Sequence, residues 1–178
     1  MTRSFTDDLT AGKAAELDPR IAAALSRLHL GASLAKAPWT MEKTGVDLVL
    51  HDPETDRLYR VEVKARQSQW NSRDVVLEVL SANAPLTFGW GLTTRADYVV
   101  VLYQDAVLVF HGPTLVATTR QHHTRWTELA ERGLLGFRLI ETKTRNKGNV
   151  YSSIALVVPI TELQGPLLLV HRSQPQAA

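Results

Sequence analysis

The run Tyr98-Val99-Val100-Val101-Leu102-Tyr103 contains no charged or amide side chain. It is too short for an ordinary helix and rich in β-branched residues, so it predicts a strand buried on both faces. A sheet with a true interior follows. Val107 to Phe110 reads as the hairpin partner of this strand after the turn-prone Gln104-Asp105. Three further β-rich segments precede it, Gly45 to His51, Leu58 to Arg66 and Asp74 to Ser81. The first two are joined by His51-Asp52-Pro53-Glu54-Thr55-Asp56, so they read as a hairpin followed by a third strand. Helical spacing of Ala14, Leu17, Ile21, Ala24, Leu25 and Leu28 predicts helix from Asp8 or Thr10 to Gly31. Asp18-Pro19 makes this either one kinked helix or two short ones. Gly112-Pro113 opens a second helical stretch that runs through Trp126 to Arg132 and stops at Gly133, and Tyr151 to Val158 supplies another strand.

With 178 residues, 44% of them hydrophobic, the chain suits one α/β domain over 1–172, with a disordered tail at 173–178. The absence of cysteine excludes a disulfide framework, a thiolate zinc site and a thiol nucleophile, and fits a reducing, cytoplasmic setting. The polar N-terminus is unlike a signal peptide, and no apolar run approaches a membrane span. A net charge of +2 means that any nucleic-acid footprint has to be local.

Chemistry enters with Asp47, a carboxylate inside Val46-Asp47-Leu48-Val49-Leu50, where burial without a partner is costly. In the next strand, alternation puts Arg60, Glu62, Lys64 and Arg66 on one face and Tyr59, Val61, Val63 and Ala65 on the other. If His51 faces Leu58, then Asp47 falls opposite Glu62. Two facing carboxylates repel, and a divalent cation with oxygen ligands relieves that repulsion. Lys64 then lies beside the cation, placed to orient water and offset charge on a phosphorane. The competing reading is a solvated strand face whose alternating charges carry no chemistry. It leaves Asp47 without a partner, and a register slip of one residue would restore it.

Gly45-Val46-Asp47, fourteen intervening residues, then Glu62-Val63-Lys64 resembles the D-x(n)-E-x-K signature of the PD-(D/E)xK nuclease superfamily, which includes restriction endonucleases and Holliday-junction resolvases. The resemblance implies a restriction endonuclease-like core: a central mixed β-sheet flanked by helices, in the order helix, three-strand meander, helix, fourth strand. Those pieces would be 9–30, 45–81 and 98–103, although Pro85 and Gly89-Trp90-Gly91 are poor material for the second helix. It further implies a metal-dependent endodeoxyribonuclease in which Asp47, Glu62 and the Val63 carbonyl hold Mg2+ or Mn2+ and Lys64 positions the water. Gly12-Lys13-Ala14-Ala15-Glu16-Leu17 looks like the family's first-helix segment, making Glu16 a further ligand, against the reading of an exposed first-turn glutamate. Glu78 in its strand, Thr94-Arg95-Ala96-Asp97-Tyr98 and the strand at Tyr151 are similar to small phage- and plasmid-borne members. Glu78 either faces the site or pairs with Arg73 or Arg95.

The expected partner is DNA, duplex or branched, met by Arg66 and Gln67 beyond the catalytic strand and by Lys143, Arg145 and Lys147 in a basic loop. Trp70 could stack on a base or simply pack. A homodimer is the simplest arrangement for cutting two strands. The alternative is a catalytically silent nucleic-acid-binding or protein-interaction module of the same fold. Adjacent His122 and His123 diverge on a helix and form no metal pair.

Overall fold

A computed structural model describes residues 2–66, 72–82, 87–146 and 149–172. In chain order the elements are β1 (Thr2–Ser4), α1 (Phe5–Glu16), α2 (Pro19–Leu25), β2 (Ser33–Lys36), α3 (Trp39–Glu42), β3 (Leu48–Asp52) and β4 (Arg57–Ala65). Then follow β5 (Asp74–Ala82), β6 (Thr87–Phe88), α4 (Trp90–Thr93), β7 (Tyr98–Leu102), β8 (Ala106–His111) and α5 (Gly112–Glu131). The chain continues with β9 (Arg138–Asn146), β10 (Asn149–Pro159), a single 3-10 turn and β11 (Leu167–Arg172).

The central layer is a six-stranded mixed sheet of order β11-β8-β7-β4-β3-β2, flanked by helices. Strand β7 occupies its interior, parallel to β4 on one side and antiparallel to β8 on the other, with every residue buried. One face packs on α1 and α2 through Ala15, Ile21, Ala24 and Leu25, against Leu48, Leu50, Val61, Val63 and Val100. The other carries Val99, Val101, Leu108 and Phe110 against Leu115 and Trp126 of α5 and Leu77 and Leu156 of a second sheet. Each such side chain contributes about 1.5–3 kcal/mol on burial, and this two-sided packing is what the apolar run of β7 requires.

The N-terminal helix is two helices. Asp18 caps α2, accepting the Arg20 amide proton at 2.9 Å, and Pro19 takes the first helical position, where its missing N–H is no loss. Helix α2 stops at Leu25 rather than near Gly31. Beyond it His29 bridges Asp52 Oδ2, 3.0 Å from Nδ1, and the Tyr98 hydroxyl, 2.7 Å from Nε2, fastening this loop to the sheet.

Two expectations about the sheet need correction. The meander is β2-β3-β4, with β2 antiparallel to β3 and β3 to β4, so it starts with a strand at 33–36 that was not foreseen. The segment expected as its third strand, β5, leaves for a five-stranded sheet of order β1-β9-β10-β5-β6. The physical reason is that β4 already has neighbours on both sides, β3 and β7, so β5 pairs with β10 instead. The observed order is therefore helices, a three-strand antiparallel meander, a crossover containing the short α4, and a fourth strand parallel to the third.

Candidate active site

The β3–β4 register is the foreseen one: His51 faces Leu58 and Leu48 faces Val61. Its anchor is the turn, where Asp52 accepts the Glu54 amide proton at 3.0 Å and the Thr55 hydroxyl proton at 2.9 Å. Continued one step, this register would set Asp47 against Glu62. At that step the strand departs from the ladder: the Asp47 N–H donates to the Val61 carbonyl at 2.9 Å, although Val61 is already the partner of Leu48. Two residues opposing one is the signature of a bulge, a device that re-aims a side chain. Here it turns the Asp47 carboxylate onto the Val63 N–H, 2.6 Å from Oδ2. The N–H and carbonyl of an extended residue project to one side. The Val63 carbonyl therefore faces the side on which β3 has ended, while the Val46 N–H that a regular ladder would send there donates to Met41 instead.

Glu62 is 2% exposed. Its Oε1 lies 2.7 Å from Lys64 Nζ, and its Oε2 has no hydrogen-bond partner among the described residues. The solvated-face reading of β4 fails at this residue, because a wet strand face does not bury a carboxylate. A buried acceptor left without a donor costs about 1–3 kcal/mol, more when charged. Gly45, at φ +82, brings the backbone against this carboxylate: a Cβ there would stand 3.6 Å from Glu62 Oε1.

Electrostatics tie the neighbouring acids together. Burial pushes the Asp47 carboxyl up to about 6; the Val63 N–H and the Lys64 charge draw it down, and Glu16 and Glu62 push it further up. Glu16 thus reaches the site electrostatically, from the last turn of α1 rather than its first, where the helix dipole disfavours a carboxylate. Lys36 holds it there, 3.6 Å away, while also pairing with Glu42 at 3.1 Å. Glu78 resolves toward the site: burial raises its carboxyl, Lys64 counters most strongly, Ser81 and Arg66 add to that, and Glu62 pushes it further up.

Glu62, Lys64 and Glu78 line an open cavity of about 460 Å³ together with Lys43, Phe88 and Trp90. The Lys64 ammonium stands 5.6 Å from the centre of the Trp90 ring. Sequence reasoning gave no site role to Lys43, Trp90, Thr93 or Thr94, and its reading of Gly89-Trp90-Gly91 as poor helix material left α4 unforeseen. Among the described residues, no three His, Cys, Asp or Glu side chains converge tightly enough to hold a metal by themselves. The donor chemistry nevertheless fits a hard cation: carboxylates, one carbonyl and room for water, with no histidine or thiolate.

The DNA-facing expectations fare unevenly. Arg66 turns inward, its guanidinium donating to the Val76 carbonyl at 2.5 Å. Lys143 and Arg145 belong to β9 rather than to a loop, because the β9–β10 ladder extends to Asn146 and Asn149. Lys143 is exposed and 3.7 Å from Glu141. Gln67, Lys147 and Trp70 lie outside the described residues. His122 stacks on Trp126.

No family model and no curated protein matches this sequence. One solved structure similar to it is that of a bacterial homing endonuclease, I-Ssp6803I. That similarity covers 60% of this chain and 70% of the other, at 20% identity and a TM-score of 0.41. Among the described residues no helix is long and apolar enough to cross a membrane.

Proposed function

We propose that this chain is a metal-dependent endodeoxyribonuclease of the PD-(D/E)xK type, hydrolysing DNA phosphodiesters with Mg2+ or Mn2+. The observation that carries the reading is the Glu62 carboxylate, buried with one oxygen on Lys64 and the other without a partner among the described residues, beside an Asp47 whose burial and acidic neighbours favour its protonated form. A cation ligated by Asp47, Glu62 and the Val63 carbonyl, with Glu16 assisting, would relieve both penalties at once. When bound, such an ion supplies a polarised phosphoryl oxygen and a water of lowered pKa. Lys64 orients the attacking water and offsets the negative charge that develops as the P–O bond to the leaving 3′ oxygen breaks. The bulge at Asp47 aims its carboxylate, and Glu62 fixes the Lys64 ammonium. The meander with a parallel fourth strand gives the acids the setting that the D-x(n)-E-x-K resemblance implies.

Plasmid cleavage with Mn2+ tests the reading, alongside calorimetric titration of the ion. Wild type is expected to bind Mn2+ and nick or linearise DNA, while Glu62→Gln folds but loses ion binding and cutting. A wild type that cuts no supercoiled, duplex, single-stranded or branched DNA ends the enzyme reading. One observation favours the catalytically silent alternative, the lack of a three-acid cluster among the described residues; that module would bind DNA without taking up the ion.

A further inference from the structure

Behind α4 lies a second cavity, of about 500 Å³, lined by Arg60, Arg95, Arg120, Thr93 and Thr94. Thr93 and Thr94 also line the acid-bearing cavity, so one short wall separates the two. The charge balance on the far side is unusual. Arg60 is committed to Asp97, with its Nε 3.1 Å from Oδ2. Arg120 has no carboxylate partner among the described residues; its guanidinium donates twice to the Leu92 carbonyl, at 3.1 and 2.7 Å, which fixes the planar group without neutralising its charge. Arg95 is exposed and makes no hydrogen bond or ion pair among the described residues. Both guanidiniums line the same cavity, and an oxyanion that accepts from them would supply the negative charge that neither finds among the described residues.

We infer that the Arg60–Arg95–Arg120 cavity is a phosphate-binding site, and that the phosphate it takes is one flanking the cleaved bond on the same DNA strand. This rests on the nuclease reading for the identity of the strand. The adjacency of the cavities supplies the geometry: a backbone lying with one phosphate at Lys64 passes over Thr93 and Thr94 and meets the guanidiniums on the other side. Arg120, pinned by Leu92, acts as the fixed element, and the free Arg95 closes on the phosphate. Arg60, whose charge is already spent on Asp97, shapes the pocket.

The test is binding of a short single-stranded DNA oligonucleotide in chelator, where no cleavage occurs, at a series of salt concentrations. Loss of one phosphate contact on a single strand is expected to flatten the slope of log K against log salt by about 0.7. Arg95→Ala, which removes no intramolecular bond, should do so and weaken binding by about 3- to 10-fold near physiological salt. Arg95→Glu should weaken it further, with Arg95→Lys restoring most of the slope. If all three variants bind with the wild-type slope, the site does not exist, whatever the protein cleaves. If the slope falls in Arg95→Ala and Arg95→Glu but wild type never cuts DNA with Mn2+, the phosphate site stands and the nuclease reading is the one lost.

Discussion

At the scale of single residues, the candidate site is an arrangement of charges that the folded chain tolerates at a cost. Asp47 ordinarily titrates at 3.8 and in the fold at about 6. Between those values the native state holds a proton that the unfolded chain has released, so metal-free stability declines as pH rises through that window. The loss amounts to at most about 3 kcal/mol before solvent screening. Urea titrations in chelator at pH 4.5 and pH 7 should show this decline, and Asp47→Asn should flatten it. The ion pair of Glu62 makes a complementary prediction. Lys64→Ala strands a buried carboxylate and is expected to destabilise by about 3 kcal/mol, whereas Glu62→Gln combined with Lys64→Met should recover most of that loss in thermal melts. The need for a partner at Asp47 was legible in its apolar flanks; the identity of the partner was not. The bulge that aims Asp47 at the Val63 N–H depends on how β3 ends, which alternation alone does not encode.

Elements were legible wherever local pattern decides them. Strand β7, its hairpin with β8, helix α5 and the β3–β4 register all follow from hydrophobic period and turn chemistry. The edge strands β1, β2 and β6 are short, and their partners make them strands more than their own composition does. Helix α4 is the instructive case, since Gly89-Trp90-Gly91 argues against a helix on propensity. The structure shows what those glycines are for. A Cβ on Gly89 would strike the Glu78 carbonyl oxygen and stand 2.7 Å from Glu78 Cγ, so only glycine lets α4 lie this close to β5. Gly89→Ala should therefore push α4 away from β5 and cost about 1–3 kcal/mol. Because Trp90, Thr93 and Thr94 wall the candidate site, the same substitution should reduce any DNA cleavage by more than its loss of folded protein explains. Melting curves and cleavage rates measured on the same preparation separate the two effects.

At the scale of the whole molecule, the two sheets share one core: Val75, Leu77 and Leu156 of the second pack with Val99, Val101 and Phe110 of the first and with Trp126 of α5. Which sheet β5 joins is settled by that shared core and by competition for the edge of β4, neither of which is visible in a window of nine residues. The acids sit where both layers contribute, Glu62 from β4 and Glu78 from β5, so occupying the site should stabilise the assembly rather than one hairpin. A divalent ion at a hundred times its dissociation constant contributes about 2.7 kcal/mol. For a chain of this size that corresponds to a rise in melting temperature of roughly 5–10 °C. Calorimetric scans with Mn2+ should show the rise in wild type and none in Glu62→Gln.

The carboxylate of Glu62, walled in with one oxygen unanswered, also bears on how this protein would behave under artificial selection. Variants chosen for heat resistance alone, in chelator and without DNA, gain most by neutralising such groups. Substitutions should therefore accumulate first at Asp47, Glu62 and Glu78, and a lineage bred for ruggedness would arrive at a sturdier protein from which the acids are gone.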